Sequence, residues 1–146
     1  MTRQEQKELK KQKEIDFINQ YKNKNINQDI KKKFRLTSVW KDFRKRLYIK
    51  EVKTLKNGKE KIICNVDELT LRPLKKEYQL HHCDLNSKHY FNLDKNNFAL
   101  LNSASHDIVH TIYSEVCKDK QYLDRLINLI NKMGELNDWK DIKDFD

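Results

Sequence analysis

The sequence predicts an α+β fold, on three observations. Of 146 residues only 2 are Gly and 1 is Pro, too few for long coil linkers, so most of the chain should be regular structure joined by short turns. Apolar residues recur at steps of three to five over residues 29–47, as on one face of a helix. Around Asn57-Gly58 they alternate instead, the pattern of two strands joined by a tight turn.

In chain order, residues 3–22 read as a helix with Leu9, Ile15, Phe17, Ile18 and Tyr21 as its apolar positions. Its first ten residues are expected to fray. A second helical segment spans about 29–47, with Ile30, Phe34, Val39, Trp40, Phe43 and Leu47 on its apolar stripe. Thr37 or Ser38 can cap a fresh helix start in its middle. Trp40 and Phe43 lie on that stripe and so belong to the core rather than to a base-stacking platform. Strands at about 48–55 and 60–65 flank the Asn57-Gly58 turn. Residues 66–77 hold Pro73 and form a connection. A short strand at 78–83, a polar loop at 84–96 and a second short strand at 98–101 follow. Ser103 can cap a helix to about Cys117, with Ile108, Val109, Ile112, Tyr113 and Val116 toward the core. A last helix over 120–133 carries Tyr122, Leu123, Leu126, Ile127, Ile130 and Met133 on one side, and the tail to Asp146 is acidic. There is no internal repeat.

Charge divides the chain. The formal net charge is +9, with 11 Lys+Arg against 5 Asp+Glu in residues 1–35 and 9 against 3 in residues 36–61. The remaining residues are slightly acidic. A basic half on a near-neutral half points to an acidic polymer as partner, although a solvated, Lys-rich helix face has the same composition. Three cysteines without CxxC spacing make neither a disulfide framework nor a four-cysteine zinc knuckle, which favours a reducing, intracellular setting, here the cytoplasm. The opening MTRQEQKELKKQK lacks the apolar run of a secretory signal. No window approaches 18 apolar residues, so no membrane partner is expected.

The chemistry-bearing residues are histidines. His81 and His82 are neighbours on the strand at 78–83, so their side chains point to opposite sides. One imidazole can bind a metal while the other is free to act as a base. His106 and His110 stand one helical turn apart and can share an ion. Asn97 lies between the two pairs.

The order His81-His82, fourteen residues, Asn97, eight residues, His106, three residues, His110, laid on strand, loop, strand and helix, resembles the HNH endonucleases and their ββα-metal motif. The stretch YQLHHCDLN…NLDKNNFALLNSASHDIVH is especially similar to the form in colicin-type DNases. The resemblance covers residues 78–113. It implies a ββα-metal core within residues 61–117, flanked by a basic helical region and hairpin at 1–60 that contacts DNA and by a C-terminal helix and acidic tail at 118–146. It implies that His81, His106 and His110 ligate one divalent metal ion, that His82 is the general base, and that Asn97 tethers the loop. Some HNH enzymes carry an acidic residue where this chain has His81, and many carry flanking CxxC pairs, which are absent here.

The chemistry agrees with that implication. Three neutral imidazoles leave a metal its full charge and keep coordination positions open for phosphate and water. They favour Zn²⁺, Ni²⁺ or Mn²⁺ over Mg²⁺. A histidine is a suitable base near neutral pH. Asp84 could supplement the metal's surroundings or simply cap its turn. Arg44, Lys45 and Arg46 on the second helical segment, and Lys75 and Lys76 before the first histidine pair, are candidate phosphate contacts. The activity implied is hydrolysis of DNA phosphodiesters, one cut per visit, with a homodimer as one route to a double-strand break. The alternative is a non-catalytic nucleic-acid- or protein-binding module on the same scaffold.

Overall fold

The structure, a computed structural model, describes residues 1–139. It is mixed helix and strand, an α+β arrangement, and divides into one unit from Met1 to Ser103 and a second from Ala104 on.

The first unit opens with α1 (Arg3–Tyr21). Its start is closed by a capping box: the Glu5 N–H donates to Thr2 Oγ1 at 3.1 Å and the Thr2 N–H donates to Glu5 Oε2 at 2.7 Å. The cap supplies partners for N–H groups that a bare helix start leaves open, which works against the expected fraying of the first ten residues. Helices α2 (Gln28–Arg35) and α3 (Ser38–Tyr48) divide the second helical segment at the expected place. Thr37 caps α3, with Oγ1 accepting from the Trp40 N–H at 3.3 Å while its hydroxyl donates to the Phe34 carbonyl at 2.7 Å. Glu14 of α1 reaches across to accept from the Ser38 N–H and hydroxyl, placing a carboxylate at the positive end of α3.

Strands β1 (Ile49–Thr54) and β2 (Glu60–Cys64) form an antiparallel ribbon, with a register shift between Ile49 and Glu51. The turn closes with the Gly58 N–H donating to the Leu55 carbonyl at 3.0 Å and the Leu55 N–H donating to the Lys59 carbonyl at 2.8 Å. Gly58 alone in this turn has a positive φ, of 78°, so the loop is a three-residue type I turn ending in a left-handed glycine rather than a two-residue mirror-image turn.

Strands β3 (Gln79–His82) and β4 (Phe98–Leu101) form a second antiparallel pair, with His81 opposite Ala99 and His82 opposite Phe98. The connection before β3 turns on Asp67, which is fully buried. Its Oδ1 accepts from the N–H groups of Leu69 and Thr70, and its Oδ2 from that of Asn102, at 2.7–2.9 Å. Asn102, one residue past β4, is held as firmly: Oδ1 accepts from the Lys75 N–H at 2.8 Å and Nδ2 donates to the Pro73 carbonyl at 3.1 Å. The end of β4 is thus tied to the chain entering β3 by polar bonds inside the protein, where they stabilise most. The core of this unit is Phe34, Trp40, Phe43, Tyr78, Leu80, Tyr90, Phe98 and Leu100, so Trp40 and Phe43 lie where their helical stripe puts them.

The second unit carries α5 (Tyr122–Asn137) and all of α4 (Ser103–Lys118) except its first helical residue, Ser103. Ser103 thus lies inside the helix instead of before it. Ile108 and Tyr113 of α4 are about half exposed, not turned toward a core, while Val109, Ile112 and Val116 are partly covered. Leu123, Ile127, Ile130 and Met133 of α5 are also exposed. Helical periodicity identifies a stripe but not what covers it. Helix α5 runs four residues beyond its expected end, and the Trp139 ring lies on Gly134 so closely that a Cβ there would meet it at 1.9 Å. The acidic tail at 140–146 lies outside the described residues. Among the described residues no helix is long and apolar enough to cross a membrane, and Cys64, Cys83 and Cys117 are free thiols.

Candidate functional site

The pleat of β3 sends its two histidines to opposite faces. His81 is 9% exposed. His82 enters the aromatic core of its unit. Its ring stacks on Tyr90 (centroids 4.2 Å apart, planes within 14°) and on Trp40 (5.6 Å, 3°), with Phe98 tilted against it at 4.6 Å. Burial pushes the pKa of His82 down to about 4. The Tyr90 carbonyl works against that shift, and the charges of His81, Lys31 and Arg35 add to it. The ring is therefore neutral at physiological pH. Its Nε2 is shielded from solvent and finds no hydrogen-bond partner among the described residues, an arrangement that costs free energy unless water or a ligand group supplies the missing bond.

On α4, His106 and His110 bring their Nε2 atoms to 3.2 Å and their ring centroids to 4.4 Å. One shared proton or one cation can bridge that gap. Partial burial, and then the neighbouring His110, hold the His106 pKa below the usual histidine range, with Asp107 opposing. The ligand nitrogens of His81, His106 and His110 all lie within 4.8 Å of one another, so the three histidines could hold a metal ion. Nitrogens about 2.0–2.1 Å from a tetrahedral zinc stand roughly 3.3 Å apart, close to the spacing of the His106–His110 pair. The donor set is all imidazole, which suits Zn²⁺, Ni²⁺ or Mn²⁺ better than Mg²⁺.

The other candidate residues fall in several places. Asn97 closes the short turn Lys95–Asn97 ahead of β4, and its carbonyl accepts from the Cys83 N–H at 2.8 Å. Its main chain thus ties the end of β3 to the start of β4. Asp84 accepts from the Asn86 N–H at 3.0 Å and pairs with His89 Nδ1 at 2.8 Å. The Asn86 bond, and then His89, hold its carboxyl below the usual range, so Asp84 serves its own loop. Arg44 is partly buried: its guanidinium donates to the Tyr78 carbonyl at 2.6 Å and lies 4.3 Å from the Tyr78 ring centroid. Lys45, Arg46, Lys75 and Lys76 are exposed.

Lys31, Arg35 and Tyr90 were not among the residues that the sequence marks for the site. Arg35 Nη1 donates to Tyr90 Oη at 3.0 Å, and Lys31 Nζ sits 5.2 Å from the Tyr90 ring centroid. Two cations one helical turn apart therefore flank the ring that covers His82. Their i, i+4 spacing on α2 is readable in the sequence, but the loop residue that they meet, 55 positions after Arg35, is not. Compared with protein-family models, with curated proteins and with solved structures, the chain matches none of them.

Proposed function

We propose that this protein is a metal-dependent DNA endonuclease of the HNH type, with β3, β4 and α4 as its ββα-metal core. The observation that carries the proposal is the grouping of His81, His106 and His110 within 4.8 Å, with an uncharged imidazole, His82, on the other face of the strand that holds His81. In this reading the three grouped histidines hold one divalent cation. The cation, when bound, stabilises negative charge gathering on the phosphate and on the leaving oxygen. His82, neutral at working pH, accepts the proton of the attacking water as the water oxygen bonds to phosphorus and the ester bond to the leaving oxygen breaks. Nε2 is the ring atom with no partner, and proton transfer to it requires water to enter beside the Trp40–His82–Tyr90 stack. Lys31 and Arg35 place positive charge beside the Tyr90 ring that covers His82. One such site makes one cut, so a double-strand break needs a second copy or a second visit.

The shielded Nε2 of His82 favours one rival, a binding module on the same scaffold that performs no hydrolysis. A plasmid assay with Mg²⁺, Mn²⁺, Ni²⁺ and Zn²⁺ separates the two. The nuclease nicks supercoiled DNA, and His82→Ala slows it by about 10²–10⁴ while duplex affinity stays within about twofold. If wild type and variant are equally inert with all four metals, the protein is not this enzyme.

A further inference from the structure

Almost nothing covers the β1–β2 ribbon. Every residue of β1 after Ile49 is exposed, as are the first three residues of β2. Val52 and Ile62 face each other across the ladder, 50% and 55% exposed. An isolated two-stranded ribbon is marginally stable by itself, and the Val52–Ile62 pair adds little to it while half exposed. The charges work against it as well. Lys53 stands directly opposite Lys61, a like-charge pair that destabilises a ladder. Residues 50–61 hold five lysines against two glutamates. The one ion pair found here among the described residues, Lys53 Nζ to Glu51 Oε1 at 3.2 Å, is solvent-exposed and worth little.

The register sorts these residues by face. Lys53, Lys59 and Lys61 share one side with Leu55, Val52 and Ile62 share the other, and Lys56 is at the turn. Strands about 4.8 Å apart, with side chains on both faces, make a ribbon that fits the B-DNA major groove, about 12 Å wide. At about 3.3 Å per residue it projects roughly 20 Å, enough to follow the groove past both flanking backbones. A polyanion would relieve the Lys53–Lys61 repulsion, and base edges and thymine methyl groups would meet the Val52–Ile62 side.

We infer that the β1–β2 hairpin is a DNA-binding ribbon that enters the major groove of duplex DNA, with Lys53, Lys56, Lys59 and Lys61 on the flanking phosphates. The inference rests on the reading of DNA as the substrate and extends it to the element that holds the duplex. Double-stranded RNA is the contrasting polymer, because its major groove is too deep and narrow for such a ribbon.

The test uses the full chain with all four lysines changed to Gln, beside a version with all four changed to Arg. Duplex DNA and duplex RNA affinities are measured against salt, and plasmid nicking is scored on the same preparations. In the Gln variant the slope of log K against log salt for DNA should fall by about 0.9 for each phosphate that the hairpin no longer neutralises, or about 2 to 4 in all. The Arg variant should keep the wild-type slope, and RNA binding should change little. A DNA slope unchanged by the Gln substitutions, an equal change on RNA, or no duplex binding by the wild type overturns the inference. A protein that binds through the hairpin but never nicks sinks the nuclease and leaves the hairpin standing. One that nicks with an unaltered slope does the reverse.

Discussion

His82 is placed at a cost. A ring buried between Trp40 and Tyr90 gains stacking on both faces and forgoes the water that would stabilise its charged form. The folded pKa of about 4 lies below the ordinary 6.5, so between those values the unfolded chain binds the proton more readily. Stability from this site is thus complete above about pH 6.5, falls as pH drops toward 4, and falls no further below that. The expected loss across the window is about 2 to 3 kcal/mol. Urea unfolding from pH 7.5 to 4 should show that slope in wild type, and His82→Phe should flatten it. Equal slopes in the two proteins would mean that the ring is not buried as described. At this scale the sequence is uneven. Trp40 and Phe43 are legible as core because they repeat on a helical stripe. Arg44 reads as a surface cation on the same helix, but its guanidinium is engaged by the Tyr78 carbonyl and ring. Asp67 accepts locally from the Leu69 and Thr70 N–H groups, but nothing local marks its burial or its bond to Asn102, 35 positions away.

The elements are the most legible part of the molecule, because their signals are local. The α2–α3 break follows from Thr37, and the hairpin follows from alternation around Asn57-Gly58. The turn itself differs from a two-residue hairpin in having three loop residues, of which Gly58 alone adopts a positive φ. That position tests the hairpin directly. A Cβ at Gly58 would meet nothing within 4 Å, so Gly58→Ala isolates the conformational cost of a left-handed non-glycine, about 1 kcal/mol. Amide exchange in β1 and β2 should speed up by about fivefold, with α4 amides unchanged. Unaltered exchange would remove the turn as the ribbon's anchor. The helices α4 and α5 show the limit of periodicity. Their apolar stripes are real, but exposed Ile108, Tyr113, Ile127 and Met133 show that a stripe does not name its neighbour.

At the scale of the whole molecule, two features concern partners: the excess of positive charge in the first 61 residues and the three grouped histidines. A cation held by His81, His106 and His110 would bind the folded chain and not the unfolded one, so it should add stability by mass action. At a hundredfold excess of free Zn²⁺ over its Kd, the unfolding free energy should rise by about 2.7 kcal/mol. Thermal melts with and without a chelator should show it in wild type, and His106→Ala should abolish it. A chelator-insensitive melting temperature in wild type would show that the three histidines do not take up zinc.

The sequence by itself determined which segments are helix and strand, that charge gathers in the first 61 residues, and that His81 and His82 point to opposite sides of one strand. These follow from periodicities of two and 3.6 and from residue counts, which need no knowledge of distant neighbours. Only the tertiary structure decided that three histidines from two elements come within 4.8 Å, that His82 is enclosed by Trp40 and Tyr90, that Lys31 and Arg35 gather at the Tyr90 ring, and that the β1–β2 ribbon stands uncovered. Each of those depends on which side chains pack together across many intervening residues, and burial, pKa and exposure are set by that packing.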